Sequence, residues 1–292
     1  MGYESVFRTD LFSDRTIIVT GGGSGLGRCT AHELAHLGAH VVIVGRNPDK
    51  LETVSQEIRT DGGTVTPMTC DIREEEQVIE VIDRTIETCG RLDGLVNNAG
   101  GQYRAELKDI TTKGFQAVVR NNLTGGFIFM REAYNRWMEQ HGGAIVNITA
   151  DMWHGWPEMG HSGAARGGMH TLTETAACEW AHAGVRVNSV APGGIASSGF
   201  DQYEPHIAQR LLEYADKVPL PRYGTEAEIS AAIVYLLSPA AAYITGSCLR
   251  VDGGAPNSRQ TWTQDYAPKN IPEFNGFHRA VMPEVLKPKA SD

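Results

Sequence analysis

The stretch "TIIVTGGGSGLGRCTAHELA", residues 16–35, decides the fold of this chain of 292 residues. A β-branched run of strand length ends at Thr20, a glycine-rich turn follows, and from Leu26 apolar residues recur with a helical period. Glycines permit the tight turn and the close approach of backbone to a ligand, and the N-terminus of the helix presents N–H groups to a phosphate. The stretch therefore predicts the first β-α unit of a dinucleotide-binding sheet.

The glycines fall in a T-G-x-x-x-G-x-G spacing, which differs from the G-x-G-x-x-G form but serves the same purpose. A glycine loop alone is a weak signal, but its place directly after a first strand makes it a strong one. We assign the cofactor's phosphates to this loop, through Gly21, Ser24, Gly25, Leu26 and Gly27.

Short apolar runs alternate with helix-length stretches as far as residue 253. The runs lack polar alternation, which is typical of parallel strands covered on both faces. We predict an α/β fold with a Rossmann-type, doubly wound, seven-stranded parallel sheet and helices on both faces. The predicted strands are residues 16–20, 40–44, 63–69, 92–98, 143–149, 184–190 and 247–253, and the first predicted helices are Leu26–Leu37, Pro48–Thr60 and Glu74–Cys89.

No linker rich in proline, glycine or serine divides the chain, so we predict one catalytic, dinucleotide-binding domain over residues 1–257. Residues 258–292 lose the periodicity and form a C-terminal extension. Disordered tails usually contain few aromatic residues. We therefore expect the extension to pack on the domain or on a neighbouring subunit through Trp262, Tyr266, Phe274 and Phe277.

The bulk properties exclude several classes of protein. A net charge of −9 argues against nucleic-acid binding. No apolar run approaches the ~20 residues of a membrane span. Five dispersed cysteines without a C-x-x-C pair suggest free thiols in a reducing compartment. We expect a cytoplasmic protein.

Arg46 indicates which dinucleotide is bound. An enzyme that prefers NAD usually carries an acidic residue at the end of the second strand, to bind the ribose hydroxyls. This chain has Gly45 and Arg46 there, which removes the repulsion and offers a guanidinium to a 2′-phosphate. NADP(H) is the expected cofactor, with NAD(H) left open.

The segment "HELAH", residues 32–36, matches the zinc motif H-E-x-x-H. The helix that carries it is already assigned to the glycine loop, and no obvious third ligand follows. We expect a chance match and no metal site.

Five ordered motifs resemble the short-chain dehydrogenase/reductase family: "TGGGSGLG", "NNAG" (97–100), "NNLTGGF" (121–127), "RVNSVAPGGI" (186–195) and "ITGSCLRVDGG" (244–254). The resemblance implies that Asn122 occupies the catalytic Asn position and that Arg166 holds ribose hydroxyls. Further cofactor contacts are implied for Asp71, Ile72, Asn98, Ala99, Gly100, Pro192, Gly193, Ile195 and Ser197.

The chain departs from the family pattern at the other catalytic positions. Ala150 stands near the expected Ser, Ser162 stands for Tyr and Arg166 stands for Lys. Ketone reduction requires an acid that protonates an alkoxide, and Ser162 is too weak an acid for that role. Reduction of a C=C bond conjugated to a thioester needs only hydrogen-bond donors for an enolate oxygen, which Ser162, a water held by Asn122 and the field of Arg166 can supply.

A narrower resemblance points the same way. The segments "NNAGGQ", "NLTGGF", "HGGAIVNI" and "HSGAARGG" resemble trans-2-enoyl-CoA and 2,4-dienoyl-CoA reductases, which implies NADPH-dependent reduction of acyl-CoA double bonds. Bacterial proteins assigned to citronellol or citronellal oxidation share the pattern, so an alcohol or aldehyde dehydrogenase is one alternative. A dinucleotide-binding regulator or scaffold without catalysis is the other. The resemblance also implies a homotetramer built through helices near residues 110–139 and 162–182.

Two apolar segments predict the substrate side of the site. Residues 151–161 follow the fifth strand, and residues 197–218 follow Pro192 and Gly193 as a lid would. Together they predict a long apolar substrate with an acyl or terpenoid tail, and an acyl-CoA is one such substrate. His161, Asp151, His154 and Tyr103 are the candidate acid–base groups, with His161 favoured because it precedes Ser162. The predicted apolar wall comprises Met152, Trp153, Trp156, Pro157, Met159, Phe200, Tyr203, Ile207, Leu211 and Tyr214.

Overall fold

Seven parallel strands form one sheet in the order β3-β2-β1-β4-β5-β6-β7. The computed structural model describes residues 2–197, 213–258 and 271–287. The architecture confirms the predicted fold, and most strands are slightly shorter than their apolar runs. The strands are β1 (Thr16–Thr20), β2 (His40–Gly45), β3 (Thr64–Thr69), β4 (Gly94–Asn97), β5 (Gly143–Ile148), β6 (Val185–Pro192) and β7 (Cys248–Val251).

Helices cover both faces of the sheet. Because successive strand residues point to opposite faces, Ile17 and Val19 of β1 join one core cluster while Ile18 joins the other. The helices are α1 (Gly25–His36), α2 (Pro48–Thr60), α3 (Glu75–Cys89), α4 (Thr112–Val119), α5 (Gly125–Ala133), α6 (Glu139–His141), α7 (Gly160–Trp180) and α8 (Glu226–Leu237).

Strand order reverses next to β1, since β2 pairs with one side of it and β4 with the other. In open α/β sheets such a switch point opens a crevice at the carboxyl ends of the strands, where ligands bind. The proline-containing strand β3 lies at the edge of the sheet, where Pro67 removes no central hydrogen bond.

The long helical region over residues 112–141 is not one continuous α-helix. Two π-helical segments, Arg120–Thr124 and Tyr134–Met138, interrupt it. Such insertions are rare and concentrate at functional sites. The first of them contains Asn122, and apolar periodicity alone gives no sign of it.

The described part of the extension, residues 271–287, packs beside α1 and α8. Phe277 is 2% exposed and clusters with Tyr3, Cys29 and Ala227. The Glu4 N–H donates to the Gly276 carbonyl at 2.8 Å. Of the four aromatic residues expected to pack the extension onto the domain, the structure describes Phe274 and Phe277. Trp262 and Tyr266 lie outside the described residues.

Replacement of Phe277 by alanine tests how much this packing stabilises the domain. Removing a buried phenyl ring that leaves a cavity costs about 3 to 5 kcal/mol. We expect Phe277→Ala to lower the free energy of unfolding by an amount in this range, measured by denaturant titration. Met282→Ala is the control in the same segment, because Met282 is 50% exposed. Equal stabilities for the two variants would contradict packing through Phe277.

The "HELAH" residues take structural roles. His32 Nε2 lies 3.2 Å from a carboxylate oxygen of Glu57, and Glu33 accepts hydrogen bonds from the hydroxyls of Tyr3, Ser5 and Ser230. Over residues 2–197, 213–258 and 271–287, no three His, Cys, Asp or Glu side chains converge as a metal site. Within the same ranges, no helix combines the length and hydropathy of a membrane span.

Candidate active site

The glycine loop is pressed against the segment that follows β4. Gly21 has φ +69°, and a Cβ atom there would lie 2.8 Å from Asn98 Nδ2. A Cβ atom on Gly27 would overlap the Gly21 carbonyl oxygen. Both positions therefore require glycine, because the backbone must lie directly on its neighbour and leave the loop surface open.

Thr20 holds these two segments together. Its hydroxyl oxygen accepts the N–H groups of Asn98 and Ala99, each at 3.0 Å, and Asn98 Nδ2 donates to the Thr20 carbonyl at 2.9 Å. The sequence prediction did not include Thr20 among the site residues. Its position at the end of the predicted first strand, directly before Gly21, was the sequence feature that could have identified it as a site residue.

The start of α1 is suited to an anion. The Ser24 side chain makes no capping hydrogen bond within the described part of the chain, so it leaves the first-turn N–H groups to a ligand. A Cβ atom on Gly25 would lie 3.8 Å from Glu226 Oε1. Burial raises the pKa of Glu226 to about 7, against the field of Arg28, so the negative charge beside this anion site is reduced relative to an ordinary glutamate.

A cleft at the carboxyl ends of β1, β2 and β3 fits the adenosine half of a dinucleotide. Arg46 and Lys50 both line it from the end of β2 and the start of α2, and both are exposed. The prediction named Arg46 but not Lys50, which lies one helical turn away. The cleft is lined by Gly21, Gly23, Ser24, Gly45, Arg46, Asn47, Lys50, Leu51, Cys70, Asp71, Ile72, Ala99, Gly100 and Asn121.

Asp71 lies in this cleft as an ionised, paired carboxylate. Its two oxygens accept from Nε and Nη2 of Arg73. The hydrogen bond from Arg73 is the main reason why the pKa of Asp71 is lowered, and the field of Arg46 adds to it. The sequence analysis did not name Arg73, although it lies only two residues after Asp71 and a side-chain pair at that spacing could have been expected.

Asn122 is buried and its amide is engaged with the backbone. Nδ2 donates to the carbonyls of Gly101, at 2.6 Å, and Val118, at 3.0 Å, while Oδ1 accepts the Gly101 N–H at 3.1 Å. The side chain thus fixes the 100–101 segment. Its ability to hold a water, as expected from the sequence, stays a prediction.

Arg166 is a buried cation beside this segment. Nη1 donates to the Ile148 carbonyl at 2.6 Å, while Nε lacks a hydrogen-bond partner among the residues described. A Cβ atom on Gly100 would lie 2.6 Å from both Arg166 Nη2 and Asn122 Oδ1. Burial lowers the pKa of Arg166 to about 10, so the guanidinium is still charged near neutral pH.

Ser162 and His161 are both fully buried at the start of α7. The Ser162 hydroxyl donates to Gln102 Oε1 at 2.8 Å, a partner that the sequence did not reveal. His161 Nδ1 accepts the Ser162 N–H at 2.9 Å, and the ring meets Tyr103 edge-on with centroids 4.6 Å apart. His161 Nε2 has no partner within residues 2–197, 213–258 and 271–287.

The ends of β6 and β7 form the other wall of the crevice. The Gly193 N–H donates to the Val251 carbonyl at 3.0 Å, and the Gly194 N–H donates to the Tyr214 hydroxyl at 3.0 Å. Ile195 is buried and bridges to Gly224. Pro192, which ends β6, and Ser197 are half-buried, and Ser197 is the last described residue before the first internal gap.

The expected apolar wall is only partly observed. Met159 is buried, Met152, Trp153 and Trp156 are half-buried, and Pro157 is exposed. The Arg250 guanidinium lies over the Trp153 ring at 5.3 Å, so one face of this ring packs against a cation. Four residues of the predicted lid lie outside the described residues: Phe200, Tyr203, Ile207 and Leu211.

These residues fit a nicotinamide dinucleotide. The glycine surface at residues 21–27 is a cradle that side chains would fill, and the start of α1 offers N–H groups. Deeper in the crevice, Arg166 carries an orphaned buried Nε that a ribose hydroxyl or another ligand oxygen can satisfy. Arg166, Asn122 and Ser162 would hold the nicotinamide half, with Gly193 opposite.

Comparison with known proteins agrees with this geometry. Residues 21–256 match the family model described as Enoyl-(Acyl carrier protein) reductase. A peroxisomal 2,4-dienoyl-CoA reductase of Danio rerio is 35% identical over 87% of this chain and 85% of its own length. A probable 2,4-dienoyl-CoA reductase of Bacillus subtilis is 37% identical over 82% and 96%. A solved citronellol catabolism dehydrogenase of Pseudomonas aeruginosa is 55% identical, covers 87% of this chain and 99% of its own, and superposes with a TM-score of 0.79.

Proposed function

The chain belongs to the short-chain dehydrogenase/reductase family of oxidoreductases, as its motifs indicated, and from that premise we propose that it reduces the C=C bond of an enoyl-CoA or a related conjugated substrate with NADPH. The observation that carries the proposal is the buried guanidinium of Arg166, which stands four residues after Ser162. A guanidinium and a serine hydroxyl stabilise a negative oxygen but do not protonate it.

In this proposal a bound NADPH supplies the hydride that adds to the β carbon of the substrate. Arg166 then stabilises the negative charge that develops on the thioester oxygen, and Ser162 adds a hydrogen bond once its hydroxyl turns from Gln102 Oε1 to the substrate. Asn122 holds Gly101 in place through its amide, and this fixes the segment that Arg166 contacts. Preorganised donors in a site closed to water are worth several kcal/mol of transition-state stabilisation.

NADP(H) is proposed because Arg46 and Lys50 lie together at the ribose end of the cleft. We further propose a homotetramer, which the partly exposed Phe115 and Phe127 on α4 and α5 support. A reducing, cytoplasmic setting is proposed on the five free thiols. Residues 258–292 are proposed to pack as an extension on the catalytic domain of residues 1–257, as Phe277 does.

Citronellol or citronellal oxidation is the second candidate, favoured by the 55% identity with the Pseudomonas aeruginosa dehydrogenase. That reaction requires a group that accepts the hydroxyl proton, and Asp151, His161 or Tyr103 would serve. The non-catalytic alternative has less support, because each of the three relatives named above is called a reductase or a dehydrogenase.

Parallel assays with the purified chain distinguish the candidates. We expect NADPH absorbance to fall when crotonyl-CoA or a medium-chain trans-enoyl-CoA is added. Citronellol with NADP⁺ or NAD⁺ is tested beside it, and free crotonate shows whether the thioester is required. Rapid turnover of citronellol with no turnover of any enoyl thioester would overturn the first candidate in favour of the second.

A further inference from the structure

A buried carboxyl group lies beside the start of α1. Glu226 is the first residue of α8, and it is only 9% exposed. Its Oε1 lies 3.8 Å from the place where a Cβ atom on Gly25 would stand, and Gly25 is the first residue of α1. Since glycine has no side chain, Gly25 does not shield the backbone of the phosphate loop from this carboxyl group.

The packing of α8 on α1 fixes the position of Glu226. The next residue, Ala227, is fully buried and clusters with Cys29 of α1. A capping box starts α8, because the Thr225 hydroxyl oxygen accepts the Glu228 N–H at 3.1 Å and the Glu228 carboxylate accepts the Thr225 N–H at 2.9 Å. These contacts hold the Glu226 carboxyl at the first turn of α1.

The cations on this side of the domain are committed to other carboxylates. Arg28, one turn into α1, is the cation whose field acts on Glu226. Its Nε and Nη2 donate to the two carboxylate oxygens of Glu57, each at 2.8 Å, so most of its charge is already balanced. In the extension, Arg279 is paired with Asp61. An ionised Glu226 therefore gains little from its cationic neighbours.

The other titratable groups around Glu226 add no positive charge. On α1, burial raises the pKa of the Cys29 thiol and that of the Glu33 carboxyl. In the N-terminal segment, burial raises the pKa of Tyr3. On α8 itself, the Glu228 carboxylate is held in an ion pair. The charge state of Glu226 is therefore sensitive to an anion that a ligand brings to the start of α1.

We propose that Glu226 links cofactor binding to proton uptake: the phosphates of a nicotinamide dinucleotide bind more tightly to the start of α1 when the Glu226 carboxyl is protonated. The physical cause is that bound phosphates and an ionised Glu226 are like charges at short range, and each disfavours the other. The inference rests on the assignment of the phosphates to the glycine loop. It goes beyond the proposed reaction, because it holds for reduction and for oxidation alike.

The direction of the pH dependence follows from the charge balance. Burial is the main reason why the pKa of Glu226 is raised to about 7 in the free protein, and bound phosphates raise it further. Above this pKa, the carboxylate form binds a dinucleotide together with one proton from solvent and becomes the neutral acid. Affinity is therefore highest below the pKa of the free protein and falls as pH rises from that pKa to the pKa of the complex.

Dissociation constants measured between pH ~6 and pH ~9 test this linkage. Fluorescence titration of the purified chain with NADPH and with NADH gives them directly. For wild type we expect Kd to rise by about tenfold over this range with both dinucleotides, which is the effect of raising one pKa by about one unit. NADH separates this effect from titration of the 2′-phosphate, which has a pKa of about 6 and is present only in NADPH.

Glu226→Gln is the test variant, because glutamine mimics the neutral acid but does not titrate. Its Kd should change by much less than tenfold over the same range. Glu76→Gln is the matched control, since Glu76 also lies in the first turn of a helix, α3, but is exposed to solvent. The control should keep the pH dependence of wild type.

Calorimetry in two buffers of different ionisation enthalpy counts the protons taken up on binding. Just above neutral pH, wild type should take up a fraction of a proton with NADH, and Glu226→Gln should take up less by that fraction. Equal proton uptake and equal pH dependences of Kd in the two proteins would overturn the inference alone. Failure of both dinucleotides to bind at any pH would instead refute the phosphate site, and the inference with it.

The stability of the free protein gives a readout without cofactor. A carboxyl group whose folded pKa is raised contributes stability below its unfolded pKa, and this stability is lost as pH rises through the folded pKa. For Glu226 the window runs from pH ~4.3, the usual glutamate value, to about 7. The free energy of unfolding of wild type should therefore fall relative to that of Glu226→Gln across this window. A constant difference between the two proteins would contradict the inference.

Discussion

Replacement of Arg166 by methionine is expected to reduce kcat by about 10²- to 10³-fold, as the loss of a preorganised oxyanion donor does in other enzymes. The guanidinium is buried, one of its nitrogens is committed to the Ile148 carbonyl, and Nε lacks a partner in the described residues. We also expect the KM for NADPH to rise, because the same side chain is proposed to hold ribose hydroxyls. Steady-state kinetics with an enoyl-CoA measures both effects.

Stability should respond differently from activity. A buried charge without a carboxylate partner is costly to desolvate, so Arg166→Met should fold at least as stably as wild type. Arg186→Met is the matched control, since the Arg186 guanidinium donates to the carbonyls of Leu236, Leu237 and Ser238. The control should lose stability and keep its kcat. An Arg166→Met enzyme with near wild-type kcat would refute the oxyanion role.

The variant Arg166→Lys separates the effect of the positive charge from that of the guanidinium geometry. Lysine restores a point charge but not the planar fork that reaches Ile148 and the side of Gly100 at once. We expect this variant to recover part of kcat. Full recovery would mean that charge alone is sufficient at this position.

The sequence predicted the fold well because its signals are local. Each apolar run of strand length became a strand, and the glycine loop after Thr20 lies between β1 and α1 as predicted, while its phosphate contacts stay a prediction. Pro48 correctly predicted the start of α2, because proline suits the first turn of a helix.

The sequence predicted the contacts of the site less completely, because those contacts join distant segments. Gln102 meets Ser162 across 60 positions. The π-helical turn that carries Asn122 has no periodicity of its own to reveal it. These features follow from tertiary packing, which local patterns do not encode.

Substitution of Arg46, one of the two cations named above in the adenosine cleft, is expected to change the preference for NADPH over NADH strongly. Arg46→Asp replaces a guanidinium by a carboxylate at the position proposed to meet the 2′-phosphate. Losing a charge-assisted hydrogen bond and adding a like charge should lower kcat/KM for NADPH by about 10²- to 10³-fold. The value for NADH should hold or rise, because a carboxylate can accept hydrogen bonds from both ribose hydroxyls.

The ratio of kcat/KM for NADPH to that for NADH is the measurement, since changes in folding or in acyl-CoA binding cancel in it. Arg59→Asp makes the same charge change on the exposed side of α2, where Arg59 pairs with Glu52, and should leave the ratio unchanged. Lys50→Gln should move the ratio in the same direction as Arg46→Asp but less, because it removes one cation without adding an anion. For Arg46→Asp, a ratio within about threefold of wild type would be well short of the change expected from losing a charged partner. Such a result would show that Arg46 does not bind the 2′-phosphate.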